Sequence, residues 1–119
     1  NDWSSAPEAF RLAMQHLDRL DLVVFAAGIM PPVGLTEFNT EKDVQMIQTN
    51  LVGAIAWLNL AADHMQFTGA GCIIGIGSVA GERGRLGQPV YNTSKSALAT
   101  YLEALRNRLA PRGVSVVTI

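Results

Sequence analysis

Tyr91-Asn92-Thr93-Ser94-Lys95 places a phenol and an ammonium four residues apart. On a helix, residues i and i+4 project from one face and are close enough to interact. A neighbouring ammonium favours the phenolate form of a tyrosine. Tyr91 is therefore a candidate general acid toward a carbonyl oxygen, or a base toward an alcohol proton. The same spacing also suits an ordinary amphipathic helix with Lys95 in solvent, so context must decide.

Two further residues supply that context. Ser78 follows a short apolar run, Cys72 to Ile76, thirteen positions before Tyr91. If that run is a strand of a parallel sheet, Ser78 lies at its carboxyl end, where such sheets bind ligands. Asn50 interrupts an otherwise apolar helical stretch, where an amide without partners would destabilise the fold. That position points to a specific hydrogen-bonding task, or to a satisfied core asparagine.

The elements that must place these residues follow from periodicity. Ser5 and Glu8 form a capping-box pattern with Pro7 in the first turn, and Ala9, Leu12, Ala13, Leu17 and Leu20 recur at helical spacing. Residues 22–26 are continuously apolar, as expected of a strand buried on both faces of a parallel sheet. Thr40 and Asp43 suggest a second capped start, followed by a helix over 40–65 with Val44, Ile47, Leu51, Ile55, Leu58, Ala62 and Met65 as its stripe. A strand is predicted over 72–76, a loop over 79–88 and a helix over 89–110. Pro111 and Gly113 end that helix, and a last strand covers 114–119. This α-β-α-β-α-β order implies a parallel sheet with right-handed crossovers.

Composition narrows the function classes. An apolar fraction of 49% and a charged fraction of 16% exclude a disordered chain. A net charge of −1 offers no basic surplus for a nucleic-acid backbone. No apolar run reaches the length of a membrane span. One cysteine, Cys72, and two distant histidines, His16 and His64, provide no metal-ligand spacing. This profile suits a cytoplasmic α/β enzyme. Gly75-Ile76-Gly77-Ser78-Val79-Ala80 matches a dinucleotide fingerprint in form, but a loop rather than a helix follows it. A serine hydrolase with Ser78 as nucleophile is the competing enzyme reading. Against it, Ile76 breaks the nucleophile-elbow pattern and both histidines precede the serine.

Ala26-Ala27-Gly28, Asn50, Gly77-Ser78-Val79-Ala80-Gly81 and Tyr91-Asn92-Thr93-Ser94-Lys95, in this order and spacing, resemble the short-chain dehydrogenase/reductase family. The resemblance covers nearly the whole chain. It implies an α/β fold, a Rossmann-like doubly wound parallel sheet, of which this chain resembles strands four to six. It also implies NAD or NADP as cofactor and a small carbonyl or alcohol substrate. Tyr91 would be the acid/base, and Ser78 would hydrogen-bond the reacting oxygen. Lys95 would assist Tyr91 and hold the nicotinamide ribose, while Asn50 would fix a water behind Lys95. Ala26, Ala27 and Gly28 would line the cofactor, and Asp2 resembles the family's adenine-contacting acid.

There are departures from the family pattern. Ala26 stands where an asparagine is frequent, and Gly77 where a serine is. The amino-terminal glycine-rich unit and the carboxyl-terminal substrate segment have no counterpart in these residues. Residues 1–119 therefore read as a partial domain, inactive alone, with residues 22–26 paired on one side only. Glu82-Arg83-Gly84-Arg85 resembles a loop of some bacterial reductases acting on sugar ketones, and equally suits a solvated charged loop. Relatives pair into dimers or tetramers, which implies a homo-oligomer through the helices over 40–65 and 89–110. An inactive binding or regulatory relative is the remaining alternative.

Overall fold

The computed structural model describes residues 2–84 and 86–119. Asn1 and Arg85, the latter part of the charged loop above, lie outside the described residues. The order is α1 (Ala6–Gln15), β1 (Leu22–Phe25), α2 (Thr40–Ile47), α3 (Gly53–Thr68), β2 (Gly71–Gly75), α4 (Pro89–Leu109) and β3 (Val114–Thr118). The three strands form one parallel sheet in the order β1-β2-β3. The expected Rossmann-like arrangement is present, and among the described residues β1 pairs with β2 alone.

One face of the sheet carries the core. Val23, Ile73 and Val116 lie in register across the strands, and α3 and α4 cover them with Leu58, Met65, Leu98, Leu102 and Leu105. A Cβ at Gly75 would collide with Leu102 Cδ1, so the glycine lets α4 press directly on β2. On the opposite face Leu22, Val24 and Val117 remain about half exposed. Residues 22–26 are thus not buried on both faces, because every described helix that packs on the sheet does so on one side.

The helix over 40–65 differs from expectation in an informative way. A π-helical turn, Gln48–Val52, joins α2 to α3. Through residue 58 the buried positions are Met46, Asn50, Ala54 and Leu58, while Val44 is exposed and Ile47, Leu51 and Ile55 are half-buried. Leu58, Ala62 and Met65 of the expected stripe are buried, with Ala61 beside them. In an α-helix each step of four overshoots a full turn by about 40°. The wider turn absorbs that drift and keeps the four residues facing inward.

The helix starts also differ. Asn39, not Thr40, caps α2 by accepting from Lys42 N–H. Ser5 makes no side-chain cap on α1, and Asp2 instead caps the short 3-10 turn Trp3–Ser5. Helix α1 stops at Gln15, so Leu17 and Leu20 fall beyond it. At the far ends of α3 and α4, Gly69 and Gly113 adopt left-handed φ values of 73° and 77°, which release the chain into β2 and β3.

The loop after β1 is closed by a small ionic clamp. Lys42 Nζ donates to Glu37 Oε2 at 2.9 Å and to Pro32 O at 2.6 Å, and Glu37 Oε1 accepts from Gly34 N–H at 3.0 Å. The Lys42 ammonium, with Gly34 and Asn39, holds the Glu37 carboxyl down to about 2 from its ordinary 4.5. A depressed folded-state value means the clamp contributes fully above about pH 4.5 and is lost as pH falls toward 2. The stability difference between wild type and Glu37→Gln should therefore shrink across that window in pH-dependent melts. A constant difference would remove the clamp's role.

Candidate active site

The carboxyl ends of β1 and β2 open toward the first turns of α4. Lys95 is buried, and its Nζ donates to Ile76 O at 3.4 Å just beyond β2. The same ammonium lies 5.9 Å from the centroid of the Tyr91 ring, within cation–π reach. The helical spacing therefore brings phenol and ammonium together, as the motif requires.

Asn50 is wholly buried and fully employed. Its Oδ1 accepts from Ile29 N–H at 2.7 Å, and its Nδ2 donates to Ile29 O at 2.9 Å and to Ser94 Oγ at 3.2 Å. Ser94 Oγ in turn donates to Tyr91 O at 2.8 Å. A continuous hydrogen-bonded path thus runs from the loop after β1, through the π-helical turn, to the backbone of Tyr91. Such a path fixes geometry only when every member is satisfied. Each polar atom of the Asn50 side chain is.

Gly28 belongs to the same cluster. A Cβ there would lie 3.4 Å from Lys95 Nζ and 3.5 Å from Asn50 Oδ1. The glycine leaves an open cradle beside both groups, and Ala26 and Ala27 are exposed just before it.

Ser78 caps the 3-10 turn Val79–Gly81 by accepting from Ala80 N–H at 3.1 Å. A Cβ at Gly81 would meet the Lys95 carbonyl carbon at 2.9 Å, so this turn lies backbone-to-backbone on α4. Ser78 also lines a cavity of about 500 Å³ with Thr118 and Ile119. Among the described residues no hydrogen bond joins Ser78 to Tyr91. Asp2 stands apart: its carboxylate is engaged by the hydroxyl and N–H of Ser4, which hold it below the usual carboxylate range, and it bonds to none of the residues above.

Other candidates separate from the site. Tyr101 lies between α3 and α4 with its hydroxyl on Asn59 Oδ1, and burial pushes it up to about 12, with Arg108 opposing. It is a poor acid/base at neutral pH. His64 contacts the Phe10 ring edge-on and His16 ends α1, so neither bonds to Ser78 as a hydrolase base would. Residue typing overlooked Ser94 and the carbonyls of Ile29 and Ile76. Ser94 had a signal, a small polar residue three after Tyr91. Backbone carbonyls carry none.

The sequence profile of the family described as short chain dehydrogenase matches residues 1–119. Acetoacetyl-CoA reductase of Cupriavidus necator is 31% identical over 118 residues, which are 99% of this chain and 48% of that protein. A human 3-oxoacyl-[acyl-carrier-protein] reductase is 34% identical over 102 residues, covering 86% of this chain and 43% of that one. The solved structure of ElxO with NADP bound superposes with a TM-score of 0.92 at 29% identity, over 98% of this chain and 48% of its own. The chain thus spans about half the length of the relatives it matches. With the Tyr91–Lys95 pair, the Asn50 network and a profile match along its whole length, the chain belongs to the short chain dehydrogenase family.

Proposed function

We propose that this chain is the catalytic central part of an NAD- or NADP-dependent oxidoreductase that interconverts a carbonyl and an alcohol. The observation that carries the reading is Lys95, buried between Ile76 O and the Tyr91 ring while the Asn50–Ser94 path fixes the same turn. With the Lys95 ammonium beside its ring, Tyr91 Oη gives its proton to the carbonyl oxygen in reduction and takes it back in oxidation. Ser78 Oγ holds the reacting oxygen from the end of β2. Asn50 orients the loop at Ile29, and through Ser94 it steadies the turn that carries Tyr91.

A nicotinamide cofactor held at this site would supply or accept the hydride. The cradle at Gly28, next to the Lys95 ammonium, fits a sugar hydroxyl pair, with Ala26 and Ala27 offering open backbone alongside. The similarity to an acetoacetyl-CoA reductase and a 3-oxoacyl-[acyl-carrier-protein] reductase, and to ElxO with its bound NADP, supports this class. In this reading Asp2 contacts the adenine end. We expect residues 1–119 alone to be inactive, since no glycine-rich pyrophosphate turn is among them.

The test is oxidation of NADPH and of NADH by the full-length protein with acetoacetyl-CoA, ethyl acetoacetate and cyclohexanone. Turnover of one ketone supports the oxidoreductase. Cofactor binding without turnover favours the inactive binding relative instead.

The reading extends to assembly and location. Trp57 and Tyr101 are partly exposed on α3 and α4, which supports a homodimer or homotetramer through these helices. A monomer at micromolar concentration in sedimentation would refute that. Among the described residues no helix is long and apolar enough to cross a membrane. We place the enzyme in the cytoplasm, which fractionation checks.

A further inference from the structure

Two loops border the site, residues 26–39 after β1 and residues 76–88 after β2. Among the described residues one side-chain hydrogen bond joins them: Gln88 Nε2 donates to Pro31 O at 3.4 Å. Gln88 immediately precedes α4, three residues before Tyr91. It makes no side-chain cap on that helix, and its side chain reaches across to the other loop instead.

Its Oε1 is buried and has no hydrogen-bond partner among the described residues. A buried acceptor without a donor is costly, and an apolar side chain of similar length would avoid that cost. Whatever the amide contributes therefore comes through Nε2. Two residues earlier in the same loop, the Asn50 amide holds both backbone groups of Ile29. The two helical units that build the site thus grip one short segment, Asn50 at Ile29 and Gln88 at Pro31. Pro31 and Pro32 restrict φ and stiffen that segment.

We propose that Gln88 is a positioning residue: its amide sets the separation between Gly28 on the β1 side and Tyr91 on the α4 side. This rests on the acid/base role of Tyr91 proposed above. Losing the donor lets residues 29–33 move away from α4, so the substrate carbonyl and Tyr91 Oη align less often. The deficit falls on kcat rather than on cofactor binding.

The experiment compares Gln88→Met and Gln88→Glu in the full-length protein. Both keep the length of the side chain, and neither a thioether nor a carboxylate can supply the N–H donor. Amide hydrogen exchange at Ile29, whose N–H is held by Asn50 in this segment, should rise roughly fivefold to tenfold in both variants, the scale of one lost hydrogen bond. With the ketone that wild type reduces fastest, kcat should fall by a similar factor while the KM for NADPH stays within about twofold. Unchanged exchange in either folded variant, or wild-type kcat alongside faster exchange, overturns the proposal. Exchange needs no turnover, so it separates this failure from failure of the catalytic reading. Tyr91→Phe provides the control, since it should leave exchange at Ile29 unchanged.

Discussion

Tyr91→Phe in the full-length protein is expected to lower turnover at least about a hundredfold, the usual scale of a positioned general acid–base group. The ring and its contact with the Lys95 ammonium survive the substitution, because that contact uses the ring face rather than the hydroxyl. Ser94 still donates to the backbone carbonyl of residue 91. Folding and cofactor affinity should therefore stay close to wild type, and the loss should lie in kcat. Steady-state kinetics with calorimetric titration of NADPH separate the two quantities. Turnover within tenfold of wild type would mean that another group moves the proton.

Asn50→Leu should have the largest effect on stability, about 2–4 kcal/mol in urea denaturation. Leucine fills much the same volume but abandons three groups: Ile29 N–H, Ile29 O and the Ser94 hydroxyl. Asn50→Asp is the sharper variant. It keeps the acceptor for Ile29 N–H and sets a second oxygen against Ile29 O, where Nδ2 now stands at 2.9 Å. Both variants should also lose activity, because Ile29 follows the Gly28 cradle directly. A cost below about 1 kcal/mol for both would show that water replaces the amide readily.

The parallel sheet and the order of its elements were legible in the sequence because apolar runs and glycine or proline punctuation agree. Residues 22–26, 72–76 and 114–119 all fall on strands, within a residue or two at their ends. Tyr91 and Lys95 were legible because helical spacing alone brings them together. Asn50 was legible as a polar residue in an apolar stretch.

What periodicity missed has a physical pattern. The stripe through Val44, Ile47 and Leu51 was out of phase, since a regular α-helix was assumed across a turn that is π-helical. The cap of α2 moved one residue, to Asn39, because its amide oxygen reaches Lys42 N–H from an extended backbone. The exposure of Leu22 and Val24 could not be read from composition, since an apolar run looks the same whether one or both faces are covered. Gln88 was invisible because its partner is a carbonyl 57 residues away.

The π-helical turn also makes the helix divisible. It holds one residue more than a regular ladder of the same span would need. A deletion of Leu51 or Val52 would let the ladder close as an ordinary α-helix and leave the upstream half facing as it does now, because the residue removed is the one the wide turn accommodates. Closing the ladder without a deletion would instead turn everything upstream by about 100°. Met46 would then swing off the interior, while Ala54, Leu58, Ala61 and Met65 kept their grip on the sheet. The wide turn, rather than the length of the helix, sets how the site faces its scaffold.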